Sequence, residues 1–227
     1  MSFLTVHFHN QQTILQGFNR IAEKISSDIQ IQINDSFYRI VDFEFFAYAA
    51  AFKDPHSHKH PQQLQAGKFF VHSTGVEITF GDGINFGGIL LRGIIKVNNE
   101  EIQPSASSVA VFATPQLVAT ELFSGLYSLE SGRQNIIGLV DVKGHPACRN
   151  YKAAKLLKTY RVGLTSSPTD IAEFYKNLPI RYIAVLPQSA FNKSIRGIEG
   201  LLRREVAAGK LTENEASDLL GYEKNFV

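Results

Sequence analysis

Tryptophan is absent from this 227-residue chain, and cysteine and methionine occur once each. A lone Cys148 excludes an internal disulfide and any multi-cysteine metal site. Its setting, HPACRN, offers no ordered base to activate a thiolate, so Cys148 reads as a structural thiol. Long apolar runs are also missing: nothing approaches the roughly 18 consecutive apolar residues that span a bilayer. The opening MSFLTVHFHN lacks the basic-then-apolar pattern of a leader. A cytoplasmic, unprocessed protein with no membrane partner is the expectation. Repeats, heptads and low-complexity linkers are lacking too, which points to one domain over residues 1–227 and to a monomer.

What is present suffices for a full core, since 44% of the residues are apolar. The net charge of +2 hides an asymmetry. Between Lys143 and Lys210 stand thirteen Lys/Arg against four acids, a balance of +9 that leaves −7 for the remainder. A basic half suits a polyanion such as nucleic acid, because each phosphate neutralised releases counterions.

Apolar residues at Ile14, Leu15, Phe18, Ile21, Ala22 and Ile25 follow helical spacing and predict an amphipathic helix over 11–26. Alternation at 29–33, a turn at Asn34-Asp35 and a β-rich run from Phe37 to Phe46 predict a strand pair. Three further strands follow at 69–72, 76–80 and 89–97, with glycine-bearing turns between them. Arg149 to Thr159 reads as a basic helix. Thr169 is placed to cap a short helix that ends before Pro179, and a strand is expected over 181–186. From about residue 192 a helical tail is expected, with helices over 193–208 and from Thr212, where TENE has the form of a capping box. The fold class is α+β, a mainly antiparallel curved sheet with flanking helices.

Three constellations bear on chemistry. In RIVDFEFFAY, strand alternation points Asp42 and Glu44 to one face and Val41, Phe43 and Phe45 to the other. Neighbouring carboxylates among aromatics raise each other's proton affinity, as the tuning of a general acid or base requires. In DPHSHKHP, the alternate histidines His56, His58 and His60 with Asp54 have the donor types of a metal site. Spacing does not make them converge, and solvated loop histidines are the commoner case, so no metal is expected. GDGINFGG precedes a strand rather than a helix and lacks Gly-Lys-Ser/Thr, so it reads as a hairpin connection, not a nucleotide loop.

Together these pieces follow an order that resembles the alkyladenine (3-methyladenine) DNA glycosylase family. Val41-Asp42-Phe43-Glu44-Phe45-Phe46 is similar to its catalytic strand, and Ser57-His58, FFVHSTG, Ile89-Leu90-Leu91-Arg92, Arg161-Val162-Gly163 and Pro179-Ile180-Arg181-Tyr182-Ile183 follow in the family's sequence. The resemblance spans roughly residues 11–186. It implies an alkyladenine-DNA-glycosylase-like fold and a monofunctional glycosylase that flips a damaged purine from duplex DNA and hydrolyses its N-glycosidic bond. It makes Glu44 the base that activates water, Arg92 the support of water and carboxylate, and Phe46, Tyr48 and His58 the contacts of the flipped base. Lys152, Lys155, Arg161 and Arg181 are the expected DNA contacts, and the reaction needs no cofactor. Thr74 stands where the family places a wedging tyrosine, and the 59–68 loop is short. The alternative expectation is therefore a non-catalytic or repurposed relative that binds nucleic acid or a small purine-like ligand in the same pocket. A hydrolase built on His56, His58 and His60 is a third.

Overall fold

A computed structural model describes residues 2–33, 36–72, 75–98, 101–102, 137–141, 155–164, 169–185, 196–220 and 224. The chain first forms helix α1 (Gln11–Asp28). Asn10 caps it: its side chain accepts from the Thr13 amide at 2.9 Å, and Thr13 Oγ1 accepts from the Asn10 amide at 3.2 Å. The helical stripe read from the sequence is the buried one, with Ile14, Phe18, Ile21, Ala22 and Ile25 all sealed from solvent.

Among the described residues ten strands form one antiparallel sheet: β1 (Ile29–Ile33), β2 (Ser36–Ala49), β3 (Phe52–Lys53), β4 (Gln65–His72), β5 (Gly75–Asp82), β6 (Phe86–Asn98), β7 (Glu101–Ile102), β8 (Ile137–Asp141), β9 (Lys155–Thr159) and β10 (Arg181–Val185). The main order is β4-β5-β6-β2-β1-β8. Strand β2 is the hub. One edge pairs with β6 along most of its length; the start of β2 also pairs with β1, its middle with β10 and its end with β3. Strand β10 in turn carries β9. Further helices among the described residues are α2 (Asp170–Lys176), α3 (Ile198–Ala207) and α4 (Glu213–Leu220). Thr169 caps α2 by accepting from the Ala172 amide at 3.3 Å, and Thr212 and Glu215 form the reciprocal capping box of α4. Among the described residues no helix is long and apolar enough to cross a membrane.

The sheet separates two cores. Helix α1 covers one face, where Phe18 stacks on Phe45 at 4.5 Å between centroids and meets Phe52 and Phe80 edge-on. Offset and edge contacts of this kind add about 0.5–1.5 kcal/mol beyond the area buried. On the opposite face, α3 and α4 cover Val41, Ile95, Leu157, Ile183 and Val185.

Two expectations are corrected here. Lys155–Thr159, read as part of a basic helix, is a strand, because pairing with β10 and burial of Leu157 outweigh the local helix preference of KAAKLLK. The remainder of that reading, with Lys152 and Cys148, lies outside the described residues, as do Thr74 and the Asn34-Asp35 turn. Val41 does not share a face with Phe43 and Phe45. The β2–β6 register shifts at Ile40/Asp42 and again at Asp42/Phe43, and this irregularity sends Val41 to the α3–α4 core while Ile40, Phe43 and Phe45 enter the α1 core.

Candidate functional site

Beyond the α3–α4 core, the same face of the sheet turns polar. Strand register sets one row across it: Arg181 on β10 opposes Glu44 on β2, Glu44 opposes Leu90 on β6, Leu90 opposes Glu77 on β5, and Glu77 opposes Phe70 on β4. Adjacent strands lie about 4.8 Å apart, so Glu44 and Glu77 project from backbones roughly 10 Å apart. Two clusters grow from this row.

The first is centred on Glu44, which is wholly buried. Arg161 donates Nε to Glu44 Oε1 at 2.7 Å and Nη1 to Asp54 Oδ2 at 3.0 Å, and both carboxylates and the guanidinium are fully sealed. Arg92 approaches the other oxygen, Nη1 to Oε2 at 3.4 Å, and it alone of the group reaches solvent, with 22% of its side chain exposed. The Arg161 guanidinium lies 4.1 Å above the Phe46 ring, a cation–π stack. Asp54 is held by the turn it closes, accepting from the His56 amide at 3.0 Å. Arg161 Nη2 is buried and has no hydrogen-bond partner among the described residues. Burial pushes the Glu44 carboxyl above the usual carboxylate range, while Arg161, Arg92 and Arg181 pull the other way.

Asp42 is not a partner of Glu44. It is gripped by Arg181 through a bidentate pair, Nε to Oδ1 at 2.8 Å and Nη2 to Oδ2 at 2.7 Å, and Arg181 Nη1 donates to the Arg196 carbonyl at 3.0 Å. Each carboxylate of VDFEFF thus has its own arginine, rather than the mutual coupling read from the sequence. Arg161 and Arg181, expected on a DNA-facing surface, are 5% and 1% exposed and neutralise acids inside. Lys155 is exposed, with Nζ 3.9 Å from Glu215. A different pair of cations reaches the rim: Gly163, at φ 77°, lies 3.6 Å from both Arg92 Nη2 and Arg196 Nη1, measured from where a Cβ would stand, and Arg196 is exposed.

The second cluster holds His58. Its ring is 4.4 Å from that of His72 and edge-on to Phe70 at 6.0 Å. His72 Nε2 stands 3.3 Å from Glu77 Oε1, and Gln63 Nε2 donates to Glu77 Oε2 at 2.6 Å. Glu77 and Gln63 are buried. They occupy the space over Gly88, where a Cβ would overlap Glu77 Oε2.

Glu44, Arg92 and Phe46 therefore come together as read from the sequence, while the ring contacts of His58 lie in the neighbouring cluster. Tyr48 is half-buried on the same face, two residues beyond Phe46, with Lys59 Nζ 4.6 Å above its ring. The three loop histidines do not form one site. His56 Nε2 lies 3.3 Å from the Ala172 carbonyl, and His60 Nδ1 accepts from the Gln62 amide at 3.3 Å and stacks on Phe70.

Sequence reasoning missed His72, Glu77 and Gln63. Hairpin arithmetic held the signal for two of them. His72 pairs with Gly75 and Phe70 with Glu77, which makes His72 and Glu77 diagonal neighbours on one face.

No family model and no curated protein matches this chain.

Proposed function

We propose that the Glu44 cluster is the reaction centre of a DNA N-glycosylase that hydrolyses the bond between deoxyribose and a damaged purine flipped out of the duplex. The observation that carries this reading is the buried Glu44 carboxyl, raised by burial and opposed by arginines, with Phe46 beside it and Arg92 leading to solvent. A general base works best when its proton affinity lies near the working pH, and burial moves Glu44 upward in that direction. Water entering along Arg92 gives a proton to Glu44 while its oxygen bonds to C1′. The C1′–N bond breaks and its electron pair leaves with the base, which departs neutral if it was a cationic alkylated purine. Phe46 supplies the stacking surface that repays flipping, and Arg92 and Arg196 at the rim suit the flanking phosphates.

One observation favours a second reading, binding without turnover. The Arg161 guanidinium already covers one face of Phe46 at 4.1 Å and holds Glu44 at 2.7 Å. With Oε1 so engaged only Oε2, beside Arg92, is left to take a proton, and the covered ring face is closed to a flipped base.

Release of free base from duplexes carrying 3-methyladenine or hypoxanthine separates the two. Catalysis predicts release that Glu44→Gln abolishes. Binding alone predicts retention of the duplex at low salt, no release, and an affinity that Glu44→Gln leaves in place. Neither release nor retention defeats both.

A further inference from the structure

We propose that His58, His72 and Glu77 bind a divalent first-row transition-metal ion, Zn²⁺ foremost. One ligand atom from each residue lies within 4.8 Å of the other two. Ligands about 2.1 Å from a tetrahedral zinc stand roughly 3.4 Å apart, so closure asks for a shift of about an ångström. His58, on the exposed loop, is free to supply it.

Each ligand is placed by a different device. The β4–β5 register sets His72 and Glu77 on one face, with Nε2 and Oε1 3.3 Å apart. Gln63 fixes the carboxylate by donating to Oε2 at 2.6 Å, and Gly88 leaves room for that pair against the sheet. This is the outer support that metal-binding carboxylates require. The loop carrying His58 turns at Lys59, whose φ of 53° makes it the one non-glycine residue with positive φ among those described. A side chain held in that region signals a conformation imposed by its surroundings.

The donor set decides the cation class. Two borderline imidazoles joined by one hard carboxylate suit Zn²⁺ or Fe²⁺, whereas Ca²⁺ and Mg²⁺ prefer a shell of oxygens. Three protein ligands also leave coordination positions for water or a ligand oxygen, the pattern of an open site rather than a closed structural one. Glu77 is 1% exposed, and a buried carboxylate is retained where something balances its charge. A cation held by His58 and His72 beside Glu77 would supply that balance. The site shares the sheet face with Glu44 but uses neither Glu44, Arg92 nor Phe46, so metal binding is tested apart from base release.

The test is metal analysis of the full chain, stripped with chelator and then titrated with Zn²⁺ and with Co²⁺ as a spectroscopic probe. The expected result is one ion per chain, with Co²⁺ absorption bands of a low-coordinate nitrogen–oxygen site. His58→Ala and His72→Ala abolish those bands, and Gln63→Ala weakens binding by about 10–100-fold. His56→Ala leaves stoichiometry and spectrum unchanged. Because Glu77 and Gln63 are buried and their variants can misfold, the exposed His58→Ala is the deciding variant, with circular dichroism to verify folding. Failure of the wild-type chain to bind either ion overturns the proposal, as does full binding by a folded His58→Ala or loss of binding in His56→Ala.

Discussion

Arg161 donates its Nε to Glu44 at 2.7 Å inside a cluster from which solvent is fully excluded. The same guanidinium also pairs with Asp54, so one cation contacts two buried acids, supported by Arg92 at the rim and by the charge of Arg181. Breaking a buried pair from one side leaves uncompensated charge, at a typical cost of about 3–5 kcal/mol. Arg161→Met is expected to destabilise the fold by about that much in urea unfolding. A loss below about 1 kcal/mol would mean that the acids are solvated or neutral without it.

The pH dependence of the Glu44 cluster has a definite sign. Its carboxyl takes up a proton more readily in the folded state than in the unfolded one. The stability linked to this group is therefore complete below the ordinary carboxylate pKa, about 4.3, and is lost as pH rises through the higher folded value. Glu44→Gln, always neutral, lacks that loss. Urea midpoints compared across pH should show the wild type declining relative to Glu44→Gln as pH rises. A decline in the opposite direction would place the Glu44 pKa below its ordinary value. If the glycosylase reading holds, base release rises over the same pH range, since the ionised form is the base.

The hairpin between β5 and β6 behaves oppositely. Asp82 accepts from the amides of Ile84 and Asn85 at 3.0 and 2.8 Å and from the Asn85 side chain. Burial pushes its carboxyl up, but these bonds outweigh that and hold it below the usual range. Its stabilisation is thus present above the ordinary carboxylate pKa and lost as pH falls through the lowered one. Asp82→Ala should cost about 0.5–1.5 kcal/mol at neutral pH and progressively less in acid. An equal cost at both ends would show that the loop is held by something other than the carboxylate.

Much of the frame was legible in the sequence because periodicity states it directly. The stripe of α1, the alternation of the strands and the Thr212–Glu215 cap each depend on near neighbours along the chain. What was not legible depends on distant partners. Leu157 belongs to a strand because Tyr182 and Ile183 lie beside it, not because KLLKT prefers to be extended. The fates of Arg161 and Arg181 are decided by acids more than a hundred positions away, so two arginines expected to contact DNA are instead buried against carboxylates. Val41 changes faces at a register shift that alternation cannot foresee. The Glu44 cluster was therefore half visible: the carboxylate and Arg92 by their motifs, Asp54 and Arg161 only through the fold. Glu77 was hidden for a further reason, because an acid within VEITF looks like an ordinary solvent-facing position.

Gly88 gives the sharpest check on the Glu77 side of the face. It sits in register between Phe46 on β2 and Thr79 on β5, and its missing side chain leaves the space that Glu77 and Gln63 fill. An alanine there would place its Cβ against Glu77 Oε2 and 2.9 Å from Gln63 Nε2. Both side chains are sealed in, so relief requires displacing a buried carboxylate from its hydrogen bond. Overpacking of this kind costs about 1–3 kcal/mol, and Gly88→Ala should lose that much in thermal or urea unfolding. Combining it with Glu77→Ala, which empties the space, should recover part of the loss, so that the double variant is more stable than the two single costs added together. Strict additivity would show that the crowding at Gly88 arises elsewhere and that Glu77 does not lie over it.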